Sequence, residues 1–377
     1  MARSAPHPTK NASSDSGSFY PPEDGLPTLP AIDWSAIGAT APTVLPASGD
    51  ALPEADVVVI TWAEAEWAAL QHVFVSSGEA MSHGQSKDDH EWTQWTRYDK
   101  DMPPYSGHDA ESWTYWGLYC LVQMGSKKVL LFKSNTHLDW PGGTYLSAMI
   151  EQIIKEASPS MLFSIGTAGG SRLTDHLGAV NVVNAGTLYS DSEPTSDWPT
   201  YASDYTPDWT TISTSGFDSL LVDIPATEDR LQALADAFNA HYGTDIPLSG
   251  TDPATPSFDP LGLCAPTSPV ALNDLVTPTN VPLLTTATFV VGTTDGQYAD
   301  YAVIEMDDAV IGKVCQEKGV AFGFVRNVSD PAQNAVLPSE VQGNWGSAVY
   351  ETFGLYTSVN GALTTWALID AMASSDA

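Results

Sequence analysis

Carboxylates stand at three places where a buried-type strand run gives way to a turn, and an acid placed there can move a proton or hold a polar ligand. Glu64 and Glu66 follow Asp56-Val57-Val58-Val59-Ile60-Thr61-Trp62. Asp307 and Asp308 open a helix after a tyrosine-rich turn, and Asp330 follows Val325-Arg326-Asn327-Val328-Ser329. In an open α/β sheet, ligands bind outside the carboxyl ends of the strands, so three acids at strand ends are candidates for one site. Each also has a plain structural reading. Acids in a first helical turn complement the helix dipole, which covers Glu64, Glu66, Asp307 and Asp308. Asp330 before Pro331 is a good N-cap pair. The run Gly166-Thr167-Ala168-Gly169-Gly170, taken alone, is a tight strand-to-loop turn.

The elements that must position these acids are legible from periodicity. The β-branched run 56–62 suits a central parallel strand buried on both faces, and it leads into a helix from Glu64 to about Phe74, with Trp67, Leu70 and Phe74 on one stripe. Strands are expected at 117–123, 128–135, 161–165, 180–183, 285–292 and 320–327, and helices at 144–156, 305–318 and 345–373. Thr227 is the expected N-cap of a further helix with Leu231, Leu234 and Phe238 inward and Gly243 after its end. Alternating strands and helices predict one α/β domain over 54–377: a mixed, largely parallel twisted sheet flanked by helices, in three layers. Residues 1–53, rich in Pro, Ser, Ala and Thr, read as an N-terminal arm. Segments 78–116 and 194–284 read as insertions.

Three motifs, in order along the chain, add a resemblance. Thr61-Trp62-Ala63-Glu64-Ala65-Glu66, then Gly166-Thr167-Ala168-Gly169-Gly170, then Glu305-Met306-Asp307-Asp308-Ala309-Val310 with Val320 to Asp330 resemble the nucleoside phosphorylase and methylthioadenosine/S-adenosylhomocysteine nucleosidase family. There the pattern is a glutamate-rich first loop, Gly-Ser/Thr-Ala-Gly-Gly, Glu-Met-Glu-Ala-Ala, and Arg-Ala-Ile-Ser-Asp. The similarity covers roughly 54–77, 128–190 and 285–375. It implies a phosphorylase/hydrolase-like fold and cleavage of the N-glycosidic bond of a purine-type nucleoside. By the same resemblance, Asp330 matches the acid at the leaving base, Glu66 the glutamate that activates water, and Asp307 the carboxylate that holds the ribose hydroxyls. Met306 would line the sugar, and Thr167, Gly169 and Ser329 would lie around sugar, water and base. Tyr298, before the signature helix, is the candidate aromatic platform under the base. Two positions depart from the pattern: Asp307 stands where the family usually has the longer Glu, and Trp62 where it tends to have a small residue.

Whether water or phosphate accepts the sugar turns on cations. Purine phosphorylases carry an arginine two residues before the glycine run, where this chain has Ser164, and Arg172 is the remaining candidate. With Glu66 in the water-activating position, hydrolysis is the expected reaction. A phosphate-dependent phosphorylase and a non-catalytic nucleoside-binding protein are the alternatives.

Composition bounds the rest. The 377 residues carry 46 acids against 14 Lys and Arg, a formal charge of −32 that disfavours nucleic acid and anionic membrane as partners. The three cysteines lack metal-ligand spacing and read as buried hydrophobes in a reducing compartment, so the expected location is the cytoplasm. His83, His90 and His108 are too irregularly spaced for a metal site, and neither metal nor organic cofactor is expected. The expected partners are a small-molecule nucleoside and further copies of the chain, as a homo-oligomer.

Overall fold

The computed structural model describes residues 19–22, 24–47, 49–86, 92–250, 252, 254–266, 281–288, 290 and 292–375. In chain order its first half holds β1 (Thr43–Leu45), β2 (Val57–Thr61), α1 (Glu64–Leu70), β3 (Thr96–Tyr98), β4 (Gly117–Met124), β5 (Lys127–Ser134), α2 (Gly143–Ala157) and β6 (Met161–Gly170). There follow β7 (Val180–Val183), β8 (Ala185–Leu188), β9 (Thr200–Ala202), α3 (Trp209–Thr214) and α4 (Glu228–Tyr242). The last part holds β10 (Leu283–Thr285), β11 (Val303–Glu305), α5 (Asp308–Lys318), β12 (Ala321–Asp330) and α6 (Ser339–Ser375).

The strands form the expected mixed sheet. Its centre is parallel: β5 pairs β2, β2 pairs β6, and β6 pairs β12. Antiparallel strands flank this centre, β4 on β5 and β7 on β12. Every residue of β2 is buried, because strands lie on both its edges and helices cover both its faces. Side chains alternate between those faces. Val57, Val59, Phe163 and Ile165 pack with α1 and α6, whereas Val58, Ile60, Leu162 and Phe324 pack with α2 and α5. Three layers result.

β6 carries the sheet's change of partner. Its first part lies between β2 and β12, and its glycines then pair antiparallel with β11 at Gly169 and Gly170. The glycine run is therefore the end of a strand and not a loop. A Cβ on Gly170 would lie 3.1–3.2 Å from the backbone of Pro331 and Ala332, so the missing side chain permits the close approach. Two further boundaries differ from the periodic expectation. Of the strand expected at 285–292 only Thr285 lies in a strand, the end of β10; residues 286–288, 290 and 292 are in none, and positions 289 and 291 lie outside the described residues. The helix expected from 305 starts at Asp308, because Val303–Glu305 pair with β6 and β10 first.

Residues ahead of β2 dock on this frame: Trp34 is buried against Trp366 of α6 at 4.6 Å, and β1 pairs β4. In the 194–284 segment, α4 has the expected Thr227 cap, with its hydroxyl accepting from Arg230 N, and Gly243 ends it in the left-handed region at φ 66°. Among the described residues no helix is long and apolar enough to cross a membrane.

Candidate active site

Glu66 lies in the first turn of α1, just past the carboxyl end of β2, and its carboxylate turns back toward that strand. Oε2 accepts hydrogen bonds from Thr61 Oγ1 at 2.7 Å, Trp62 N at 3.0 Å and Ala63 N at 2.9 Å. Oε1 accepts from Thr167 N at 2.7 Å and Thr167 Oγ1 at 2.8 Å. The dipole-complementing role is thus filled by the same side chain that reaches β6. Burial opposes ionisation, but the Arg326 guanidinium and the donors from Thr167, Thr61 and Trp62 outweigh it and hold the carboxyl below its usual range. Glu66 is a fixed anion.

Asp330 ends β12 with the opposite character. Its Oδ1 accepts from Ser329 Oγ at 2.7 Å, and a Cβ on Gly169 would lie 3.2 Å from Oδ2. The absent side chain at Gly169 is what admits the carboxyl. Burial pushes Asp330 up to about 7, against which Ser329 works only weakly. Asp330 therefore carries its proton near neutrality. It belongs to the strand, so the N-cap reading suggested by Pro331 does not apply.

Asp307 precedes α5 and turns to the loop after β5, accepting from Leu138 N at 2.9 Å and lying 3.3 Å from His137 Nδ1. The His137 ring in turn stands 6.2 Å from the Trp62 ring. Beneath them lies an ion cluster that the residue spacing did not disclose. Arg326 reaches Asp308 through Nε at 2.7 Å and Nη2 at 2.5 Å, donates to Ser164 Oγ at 2.9 Å, and approaches Glu305 Oε2 at 3.4 Å. Ser164 also donates to Asp308. Glu305 caps α5, accepting from Asp307 N, Asp308 N and Thr285 Oγ1. Burial and the neighbouring Asp308 raise Glu305 to about 8. Burial likewise lowers Lys133, at the end of β5, to about 8, although Glu64 and Glu66 favour its charge.

The strand ends thus bring Glu66, Thr167, Gly169, Ser329 and Asp330 around the last turn of β6, with Asp307 joined to them through Glu305, Arg326 and Trp62. A Cβ on Gly166 would lie 2.5 Å from Glu66 Oε1 and 2.7 Å from Arg326 Nη1, which shows how closely these groups crowd one backbone position. Met306 is partly buried between Glu305 and Asp307. Tyr298 is not drawn in by any described contact: its hydroxyl accepts from Gln297 Nε2 at 2.9 Å. Arg172, the cation left for a phosphate, is bound to Asp175 at 2.8 Å and Asn181 at 2.9 Å. No His/Cys/Asp/Glu cluster fit for a metal occurs among the described residues, and His90 lies outside them.

The centre is closed. Glu66 is 3 % exposed, Asp307 4 % and Asp330 7 %. A cavity of about 30 Å³ lies beside Glu64, Ala65 and Tyr350 at the first turn of α1, and a cleft of about 310 Å³ lies away from the carboxylates, beside Ile37 and Trp366.

In three dimensions the chain is similar to nucleosidases. The 5′-methylthioadenosine/S-adenosylhomocysteine nucleosidase from Neisseria meningitidis, solved with methylthio-immucillin-A, is 14 % identical, with 83 % of this chain and 98 % of that chain covered and a TM-score of 0.43. The corresponding nucleosidase from S. pneumoniae, solved with a transition-state inhibitor, is 12 % identical over 84 % and 99 %, with a TM-score of 0.45. Futalosine hydrolase of Helicobacter pylori is 9 % identical over 83 % and 97 %, with a TM-score of 0.44. No family model and no curated protein matches the sequence. At these identities the likeness is one of fold and assigns no activity.

Proposed function

We propose that the chain is a nucleosidase that hydrolyses the N-glycosidic bond of a purine-type nucleoside to free base and sugar. The observation that carries this reading is a pair of buried carboxyls lodged against the glycine end of β6 in opposite surroundings, Glu66 among five donors and beside Arg326, Asp330 with Ser329 as its described donor. Environments that push two carboxyls apart mark an acid and its complementary anion. Glu66 is held ionised against Gly166 and Thr167, while Asp330, against Gly169, keeps a proton near pH 7.

Departure of the base leaves positive charge on the sugar and negative charge on the base. Asp330 donates its proton to the base, and the anionic Glu66 offsets the charge on the sugar. Both Glu66 oxygens already accept hydrogen bonds, so its route to water runs through Thr167. Thr167 Oγ1 donates its hydrogen bond to Glu66 and accepts one from the attacking water. As water adds to the sugar, its proton passes to Oγ1 while the Oγ1 proton passes to Glu66. Exchange with solvent then returns Glu66 to the anion and a proton to Asp330. Asp307 and Met306 fall on the sugar side, and Ser329 positions the Asp330 carboxyl.

Water is favoured over phosphate by a specific observation. Ser164 is fully buried on Asp308 and Arg326, and Arg172 is bound to Asp175 and Asn181. Neither position offers a cation to a phosphate dianion. The carboxylates are closed off, so entry of a nucleoside requires a neighbouring segment to move aside.

The test is incubation of the purified protein with a nucleoside panel, with and without phosphate, reading free base and sugar product. Free base and free sugar at the same rate in both arms is the expected result. Sugar 1-phosphate formed only with phosphate makes it a phosphorylase; binding without release of base makes it a non-catalytic binder.

A further inference from the structure

His137 is the most open ionisable side chain of the Asp307–Arg326 cluster: 18 % of it is exposed, against 6 % for Asp307, 4 % for Arg326 and 0 % for Asp308. Both oxygens of Asp307 are taken up by this loop, Oδ1 by Leu138 N and Oδ2 by His137 Nδ1. The carboxylate is thus turned inward, onto the histidine. A carboxylate beside Nδ1 selects the tautomer that protonates Nδ1, which leaves the Nε2 lone pair on the far side of the ring. The backbone that carries the ring is held in place. His137 N donates to Trp140 O at 2.8 Å, Gly142 N donates to His137 O at 3.2 Å, and Trp62 stands beside the ring. Trp62 is itself pinned by its Nε1, which donates to Thr136 O at 2.9 Å.

We propose that His137 is a specificity-determining residue: its Nε2 accepts a hydrogen bond from one sugar hydroxyl, with Asp307 acting behind it to fix the ring. The substrates are then nucleosides that keep that hydroxyl. This rests on the nucleosidase reading above. It differs from a direct grip by Asp307, because the group that meets the sugar is an imidazole and the carboxylate only orients it.

The experiment compares adenosine and inosine with their 2′-deoxy, 3′-deoxy and 5′-deoxy analogues, on the wild type and on His137→Ala, His137→Gln and Asp307→Asn, reading kcat/KM from released base. A hydrogen bond to a substrate hydroxyl is worth about tenfold to a hundredfold in kcat/KM. For the wild type, one deoxy analogue should fall by that factor. His137→Ala should lose the same factor on the ribonucleoside and nothing further on that analogue, which erases the preference. Asp307→Asn should weaken the preference while His137 remains. If His137→Ala does not fold, as judged by circular dichroism, His137→Gln supplies the same ratio. An unchanged preference in the His137 variants, or an equal loss on all substrates, overturns the assignment while the nucleosidase reading stands. A wild type that releases no base from any nucleoside overturns both.

Discussion

The Arg326 guanidinium and five hydrogen-bond donors act on Glu66, whereas Ser329 is the described donor to Asp330, and this difference decides which carboxyl keeps its proton. Asp330→Asn should lower kcat by about 10²–10⁴, the usual worth of a general acid, with KM changed far less. In the wild type, kcat should decline as pH rises through about 7, where Asp330 loses its proton; a rate that is flat from pH 6 to 8 would sink the assignment of Asp330 as the acid. Stability follows with a definite sign. The folded-state value of about 7 lies above the unfolded one of about 3.9, so the folded form holds a proton that the unfolded form releases in between. The wild type is therefore destabilised as pH rises from about 4 to about 7, relative to a side chain that cannot ionise. Asp330→Asn should melt several degrees above the wild type at pH 8 with a clearly smaller gap at pH 5, and calorimetry that finds equal gaps refutes the buried protonated acid.

At the scale of elements, the ends of β2, β6, β12 and α5 share one buried ion cluster. Arg326→Met leaves Asp308 without its cation in a dry interior, which typically costs about 3–5 kcal/mol. Denaturant unfolding should show that loss. Gly166→Ala forces a methyl group against Glu66 and Arg326 and should abolish base release even where the fold survives, a result checked by activity alongside circular dichroism. The loop at 137–140 should gain hydrogen-exchange protection when a nucleoside analogue binds, since the analogue would then rest on His137. The sequence marked Glu66, Asp307 and Asp330 because each follows a strand, and strand ends are a local property. It did not mark the bond of Asp308 to Arg326 and Ser164, since that joins residues 144 and 18 positions apart through sheet register. It also read the glycines at 166–170 as a loop, because glycine depletion from strands is a general tendency and the close approach of Pro331 and Ala332 that favours it here is nonlocal. Nothing in the spacing joins His137 to Asp307, 170 positions on, and only folding makes them partners.

For the whole molecule, 46 acids against 14 basic residues place a strongly negative surface around a centre that is itself rich in carboxylates. Neutral nucleosides approach such a surface unhindered, while nucleotides and free phosphate are repelled. Nucleoside 5′-monophosphates should accordingly be poorer substrates than the parent nucleosides, by a margin that narrows as salt is added. A margin that does not depend on salt would trace the discrimination to shape. The N-terminal residues belong to this whole as well: Trp34→Ala removes a buried ring from its contact with Trp366 and should cost about 3–5 kcal/mol in denaturant unfolding.

The donors to Glu66 come from the tail of one strand, the start of one helix and a second strand about a hundred positions later. A chain threaded one position out of step along β6 would strip that anion of two partners and bury it uncompensated. The carboxylate proposed for the chemistry would therefore also favour the native alignment of β6, since a shifted strand leaves it short of donors.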